Sequence, residues 1–338
     1  MKGEYIEYGG SADHNPYGDR SSSSSPTLLG PISLGSISLS PSQPVLAEYV
    51  WLDGELVAVE KAKVIFLNPS HQNASAIFEG FHCYNTPRGP AVFRLAEHLE
   101  LFLDRIRLLG VDDFRHDVEE LCDIVCRVVQ VNRFAECYIR PALYFESAIG
   151  SDLTAHEPVL GVAAWKLDHQ ISEEALENGI RLVVSSVTRN RPEANQTETT
   201  AEGGEFDDAV MVDPDGYVTE ATGENLLLVR NNTIFATPLI RILEGLTRNA
   251  VIALAQDAGY TVAETPLSWE QLYISDEVFV CGTAAELLPV REIDSHPIGS
   301  GRAGPVTRKL QNLFEETING QNRRSAEWLD YMVLEPVI

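Results

Sequence analysis

Apolar and polar residues alternate through EYVWLDGELVAVE, residues 48–60, on either side of Asp53-Gly54. Two period-two runs joined by Asp-Gly predict a β-hairpin with a tight two-residue turn. KAKVIFL, which follows, reads as a further strand. The period then changes: LAEHLELFLDRIRLLG places Leu95, Leu99, Leu103 and Ile106 on one helical face, and Gly110 supplies the stop. A second helix is expected around 116–130, followed by buried strands in ECYIRPALYF and VLGVAAW. Residues 46–165 therefore read as one α+β domain, with the apolar face of its first helix packed on a sheet.

Strand patterns dominate the second half: GIRLVVSSV, DDAVMVD, ENLLLVR, TIFATP, YTVAETPL and DEVFVCG. Asp215-Gly216 and Asn231-Asn232 provide turns between neighbours. Helices are expected to start near Thr247 and near Pro305. Residues 166–178 read as a connector and 179–338 as a second domain. Residues 1–45, with five consecutive serines followed by GPISLGSISLSPSQP, bury too little apolar surface to offset chain entropy and read as a disordered tail. No internal repeat is evident.

Composition narrows the partners. The 338 residues carry 25 Lys plus Arg against 50 Asp plus Glu, a formal net charge of −25. Such a surface repels phosphate backbones and anionic lipid, which excludes nucleic acid and membranes as expected partners and leaves a small molecule. No apolar run reaches the roughly 18 residues of a membrane span, and the N-terminus lacks a basic region followed by an apolar one. Five cysteines without CxxC spacing read as free thiols rather than a metal site, as in a reducing cytoplasm.

Candidate chemistry lies at four places. Gly245-Leu246-Thr247 opens a helix, where unpaired N–H groups and the helix dipole suit either a phosphate or an ordinary cap. CGTAAE offers a second turn of this kind, with Thr283 after Gly282. Arg94, after the strand AVF, presents a planar fork that serves a phosphate or a surface ion pair. Glu220 and Glu224 lie in GYVTEATGEN, where a carboxylate either holds a pyridinium N–H or satisfies loop amides.

In chain order, VWLDGELV, IFEGFHCYNTPRGPAVFRLAEHLELF, YIRPAL, DPDGYVTEATGENLLLV, LEGLTRNAVIALA, SDEVFVCGTAAELLPVREID and GRAGPVTRKLQ resemble the branched-chain amino-acid aminotransferases. These are fold-type IV enzymes that use pyridoxal phosphate. The resemblance implies a small α/β domain, a larger β-rich domain of pseudo-barrel form, a homodimer and a small amino or keto acid as substrate. It implies a phosphate cup of Arg94, Leu246, Thr247 and Thr283, with Glu220 facing the pyridine nitrogen. Tyr138, Arg140, Trp165, Gly223 and Ala284 would line the substrate side.

The chain departs from that family at one decisive position. Transamination needs a Lys amine to hold the cofactor aldehyde and move protons. The family carries it after the VSSxxR strand, followed by a helix that opens with Asn-Tyr. Here VVSSVTRNRPEANQTETTAEGGEFDDAVMVD contains no Lys, and aligning Gly203-Gly204 with the family motif puts Thr200 or Ala201 in its place. Of Lys2, Lys61, Lys63, Lys166 and Lys309, Lys166 is the candidate substitute because it follows Trp165. His71-Gln72-Asn73 replaces His-Tyr-Gly, and His82 replaces the Arg of FEGxR, so the pocket should prefer something other than branched-chain amino acids. Three functions follow as expectations. The first is an aminotransferase-like enzyme holding the cofactor non-covalently. The second is a cofactor-independent lyase, isomerase or cyclase using His82, Tyr138, Arg140 or Glu220, and the third is a non-catalytic paralogue.

Overall fold

The computed structural model describes residues 45–62, 76–111, 114–145, 158–166, 172–185, 206–242 and 244–332. The serine-rich tail, Lys63, His71-Gln72-Asn73, Thr200, Ala201 and Gly203-Gly204 lie outside the described residues.

The first half builds β1 (Val45–Leu46), β2 (Tyr49–Leu52), β3 (Glu55–Ala58), β4 (Ile77–Phe78), β5 (Phe81–Thr86) and β6 (Gly89–Phe93). Then come α1 (Leu95–Leu108), α2 (Val118–Asn132), β7 (Cys137–Phe145) and β8 (Pro158–Lys166). Asp53 and Gly54 take positive φ, as the turn between β2 and β3 requires. Leu95, Leu99, Leu103 and Ile106 are all buried on α1, as their spacing implies. Asp117 and Glu120 form a capping box that starts α2. Both helices bury their apolar faces in one core with Phe81, Cys83, Ile139 and Leu143 of the sheet. The strand expected at KAKVIFL is not seen at its described start, because Lys61 closes a 3-10 turn over Val59–Lys61.

The second half contributes α3 (Glu173–Asn178), β9 (Ile180–Ser185), β10 (Asp208–Val212), β11 (Val218–Ala221), β12 (Asn225–Arg230) and β13 (Thr233–Ala236). It continues with α4 (Leu246–Asp257), β14 (Thr261–Glu264), α5 (Trp269–Tyr273), β15 (Glu277–Gly282), β16 (Glu286–Ile293), β17 (His296–Pro297), α6 (Pro305–Ile318), α7 (Ser325–Trp328) and β18 (Leu329–Tyr331). Strands β9 to β17 form a second sheet, in the order β11-β10-β9-β16-β15-β12-β13-β14 with β17 beside β16. In the second half four strands escape the sequence pattern: β11, inside GYVTEATGEN, β16, whose Pro289 and charged residues mask a central strand, and the short β17 and β18. The expected connector contains α3.

The two sheets are tied by an apolar seam. β18 returns to the first sheet and pairs antiparallel with β6, Leu329 opposite Phe93. Ala91 and Phe93 share a buried cluster with Ala250, Val251 and Leu254 of α4 and Leu310 and Phe314 of α6. The Phe93 ring lies 5.5 Å from Phe314 and 6.0 Å from Trp328.

α6 is anchored by a buried acid. The Glu277 carboxylate accepts from the Val306 N–H at 3.0 Å, the Thr307 N–H at 2.8 Å and the Thr307 hydroxyl at 2.6 Å. A Cβ on Gly304 would overlap that carboxylate, so Gly304 leaves room for the cap. Glu277→Ala strands these donors and is expected to cost about 2 kcal/mol. A lowered urea midpoint with unchanged m-value is the expected reading; an unchanged midpoint would mean that water replaces the carboxylate without loss.

Candidate functional site

Arg94 stands between β6 and α1 with φ of 53°, a left-handed conformation that L-residues adopt only under tertiary constraint. Phe93 before it is held in the seam. Its own N–H donates to the Trp328 carbonyl at 2.7 Å, and the Leu95 N–H donates to Asp330 at 2.9 Å. The guanidinium forks onto Glu97 and reaches the Leu246 carbonyl from Nη1 at 2.8 Å. It also lies 5.6 Å from the Trp328 ring centre. Arg94 therefore makes an ion pair with Glu97 and stands at Leu246, 152 residues along the chain.

α4 begins there without a side-chain cap at Gly245. Leu246 and Thr247 are buried in the first turn, where N–H groups point outward from a positive dipole end. A Cβ at Gly245 would overlap the Asn225 carboxamide, so glycine lets β12 approach the helix start. Arg248, 2% exposed, donates from Nη2 to the Thr237 carbonyl at 2.8 Å and to Glu264 at 2.7 Å. No spacing in the sequence marks this arginine as buried, because it occupies the first turn of a helix of mixed polarity.

Glu220 is buried on β11, and the turn that follows carries Gly223 and Glu224 to β12. Glu224 is buried as well. Loss of water first, then the neighbouring Asp208 carboxylate, push its pKa up from 4.5 to about 8. Thr222 Oγ1 and Asp208 Oδ2 are buried with no hydrogen-bond partner among the described residues. Thr283 does not open a helix, as CGTAAE suggested; it lies in the tight turn that pairs Gly282 with Glu286 between β15 and β16.

An aromatic wall covers one face of the first sheet. His82 pairs with Tyr138, and Tyr138 with Trp165, across β5, β7 and β8. The Tyr138 ring centre is 5.4 Å from His82 and 4.9 Å from Trp165. The Arg140 guanidinium lies 4.4 Å over Phe78 and 5.7 Å from Trp165. Three polar atoms on this wall are buried without partners among the described residues: His82 Nε2, Arg140 Nε and Trp165 Nε1. Burial, with His98 adding repulsion, holds the His82 pKa down to about 4, so its imidazole is neutral at pH 7. His82, Tyr138 and Ala284 open onto one cavity of about 660 Å³, bounded across from them by Arg308 and Gln311 of α6.

Lysine is missing from this assembly among the described residues. Lys166 is exposed, and alternation along β8 turns it to the face opposite Trp165. Lys61 and Lys309 are exposed on other elements.

The family described as Amino-transferase class IV matches residues 76–293. The branched-chain-amino-acid aminotransferase of Pseudomonas aeruginosa is 33% identical over 294 residues, covering 82% of this chain and 95% of that protein. The Escherichia coli (strain K12) protein of the same name is 34% identical over 302 residues, covering 84% and 97%. Among solved structures, a T.th. branched-chain amino acid aminotransferase with pyridoxamine 5'-phosphate superposes with a TM-score of 0.82 at 36% identity, covering 86% of this chain and 100% of that one. The E. coli structure gives 0.80 at 32%, covering 85% and 100%.

The wall depends on Gly80, where a Cβ would overlap the Tyr138 hydroxyl. Gly80→Ala should lower stability by about 1–3 kcal/mol by overpacking, with the near-ultraviolet tyrosine signal altered. Adding Tyr138→Leu should recover part of that loss in a double-mutant cycle; strictly additive urea midpoints would mean that the two residues do not press on each other.

Proposed function

Because the chain belongs to the branched-chain amino-acid aminotransferase family of class IV, we propose that it binds pyridoxal 5'-phosphate non-covalently and acts as an enzyme on a small amino or keto acid. The observation that carries this reading is the meeting of Arg94 with Leu246 at the start of α4.

The residues fit the cofactor at two of its ends. The first-turn N–H groups of α4, Arg94 and the hydroxyls of Thr247 and Thr283 would hold the phosphate. Glu220 would keep a proton on the ring nitrogen. When bound, the cofactor supplies an aldehyde that takes up an amino group and a ring that withdraws electrons. Arg140 would orient a substrate carboxylate, Trp165 and Tyr138 would exclude water, and Gly223 and Ala284 would leave room for the substrate backbone. The third end, the amine, has no match: the sequence contains no lysine between Lys166 and Lys309. Proton movement then falls to His82 Nε2, a neutral acceptor, and to the Tyr138 hydroxyl, so ordinary transamination is slow. His82 in place of arginine removes a fixed positive charge from the pocket, which argues against branched-chain acids as preferred substrates.

The proposal includes a small domain over 46–165 and a large one over 179–338, a homodimer and a cytoplasmic setting. Phe78 and Ile240, 48% and 92% exposed, supply apolar surface for a second copy, and all five thiols are free. The partnerless His82 Nε2 and Arg140 Nε favour a second reading, a cofactor-independent acid–base enzyme on a small acidic metabolite.

An absorbance titration with pyridoxal 5'-phosphate is expected to saturate, with Arg94→Ala about tenfold weaker through loss of a charge-assisted contact. Borohydride treatment followed by peptide mapping should yield no lysine adduct. An adduct at Lys166, or an Arg94→Ala variant indistinguishable from the parent, contradicts this reading. Activity untouched by stripping cofactor would favour the second one.

A further inference from the structure

Two buried acids, Asp208 and Glu224, have no role in the proposed phosphate site. Asp208 on β10 and Glu224 before β12 are 3% and 5% exposed. Asp208 Oδ1 accepts from the Ala209 N–H at 2.7 Å, Oδ2 is buried with no hydrogen-bond partner among the described residues, and the Glu224 carboxyl neighbours this side chain. Glu224 accepts from the Gly223 N–H at 3.2 Å, and a Cβ on Gly282 would sit 3.2 Å from Glu224 Cγ. The Glu224 side chain thus packs under the turn that carries Thr283, and its carbonyl accepts from the Ala221 N–H at 2.8 Å, closing the turn after Glu220.

Two carboxylates in contact and out of water repel, and neither can donate to the other unless one is protonated. A single proton gives Asp208 Oδ2 the partner it lacks. We propose that Asp208 and Glu224 are a positioning pair that shares one proton, holding the Gly282–Thr283 turn beside the phosphate site, so that loss of this proton weakens phosphate-ester binding. The inference rests on the cofactor reading above. The charged groups on the surrounding elements are Glu220 on β11, Arg248 of α4, which acts with Glu224 on the Cys281 thiol, and Asp207, next to Asp208 in the chain and paired with Arg181 at 3.6 Å. Arg248 is committed to Glu264 and Thr237, so it leaves the extra charge unneutralised.

The test measures binding of pyridoxal 5'-phosphate and of phenyl phosphate by tryptophan fluorescence, at constant ionic strength, from about pH 7 to about pH 9, which brackets the raised Glu224 value of about 8. Phosphate monoesters are already dianions across most of this range, their second pKa being about 6. Phenyl phosphate also has no ring nitrogen to titrate. Both dissociation constants should rise about tenfold over the range as a second charge appears near the site, and Glu224→Gln should abolish the slope. Binding with a flat profile, a slope for pyridoxal 5'-phosphate alone, or a slope that survives in Glu224→Gln overturns this inference and leaves the cofactor reading standing. Binding of neither ester at any pH overturns both.

Stability gives a second readout if a variant binds poorly. A folded-state pKa raised from 4.5 to about 8 gives stability that is complete below 4.5 and lost as pH rises through 8. The urea midpoint should therefore fall over that window more steeply in the parent than in Glu224→Gln or Asp208→Asn. Parallel profiles overturn the shared proton.

Discussion

The seam around Phe93 is the constraint on which the candidate site depends. β6 belongs to one sheet and α4 packs against the other, yet their buried residues share one apolar cluster. Burying an aromatic of this size contributes roughly 2–3 kcal/mol. That is enough to hold the next residue, Arg94, in a left-handed conformation that costs about 1–2 kcal/mol. Nothing local in Phe-Arg-Leu demands this geometry. The guanidinium reaches Leu246 because the hydrocarbon behind it has nowhere else to go.

Charge is handled differently inside this molecule than on its surface. With 50 acids against 25 bases, solvated carboxylates are abundant, but buried ones are matched with donors. Glu277 caps α6, and Glu79 accepts from His98 and Arg105. The buried Arg248 has two acceptors. Against that background Asp208 Oδ2 stands out as a buried oxygen without a donor among the described residues.

Much of this is legible in the sequence. The hairpin at Asp53-Gly54, the stripe on α1 and the six strand patterns of the second half follow from period and turn chemistry. So does the candidacy of Arg94, Leu246 and Thr247, though not their meeting, which depends on long-range packing. β16 is illegible because Pro289 and two charges interrupt its apolar run, and its pairing with β9 shifts register beside Val290. Gly-Thr-Ala-Ala suits a helical start, so Thr283 reads as a helix opener, whereas the pairing of β15 with β16 forces a hairpin. The burial of Asp208 leaves no trace at all, since Asp-Asp at the head of an apolar strand looks like solvated punctuation.

β18 gives the site a temporal aspect. Asp330 and Leu329 secure the Arg94 segment from 235 residues further along the chain. On a ribosome, β5, β6 and α1 emerge long before the strand that completes them. Arg94 therefore waits, with its edge strand unmade, through most of synthesis. Contacts of such sequence separation form slowly, which makes the corner around Arg94 one of the last parts of the fold to set.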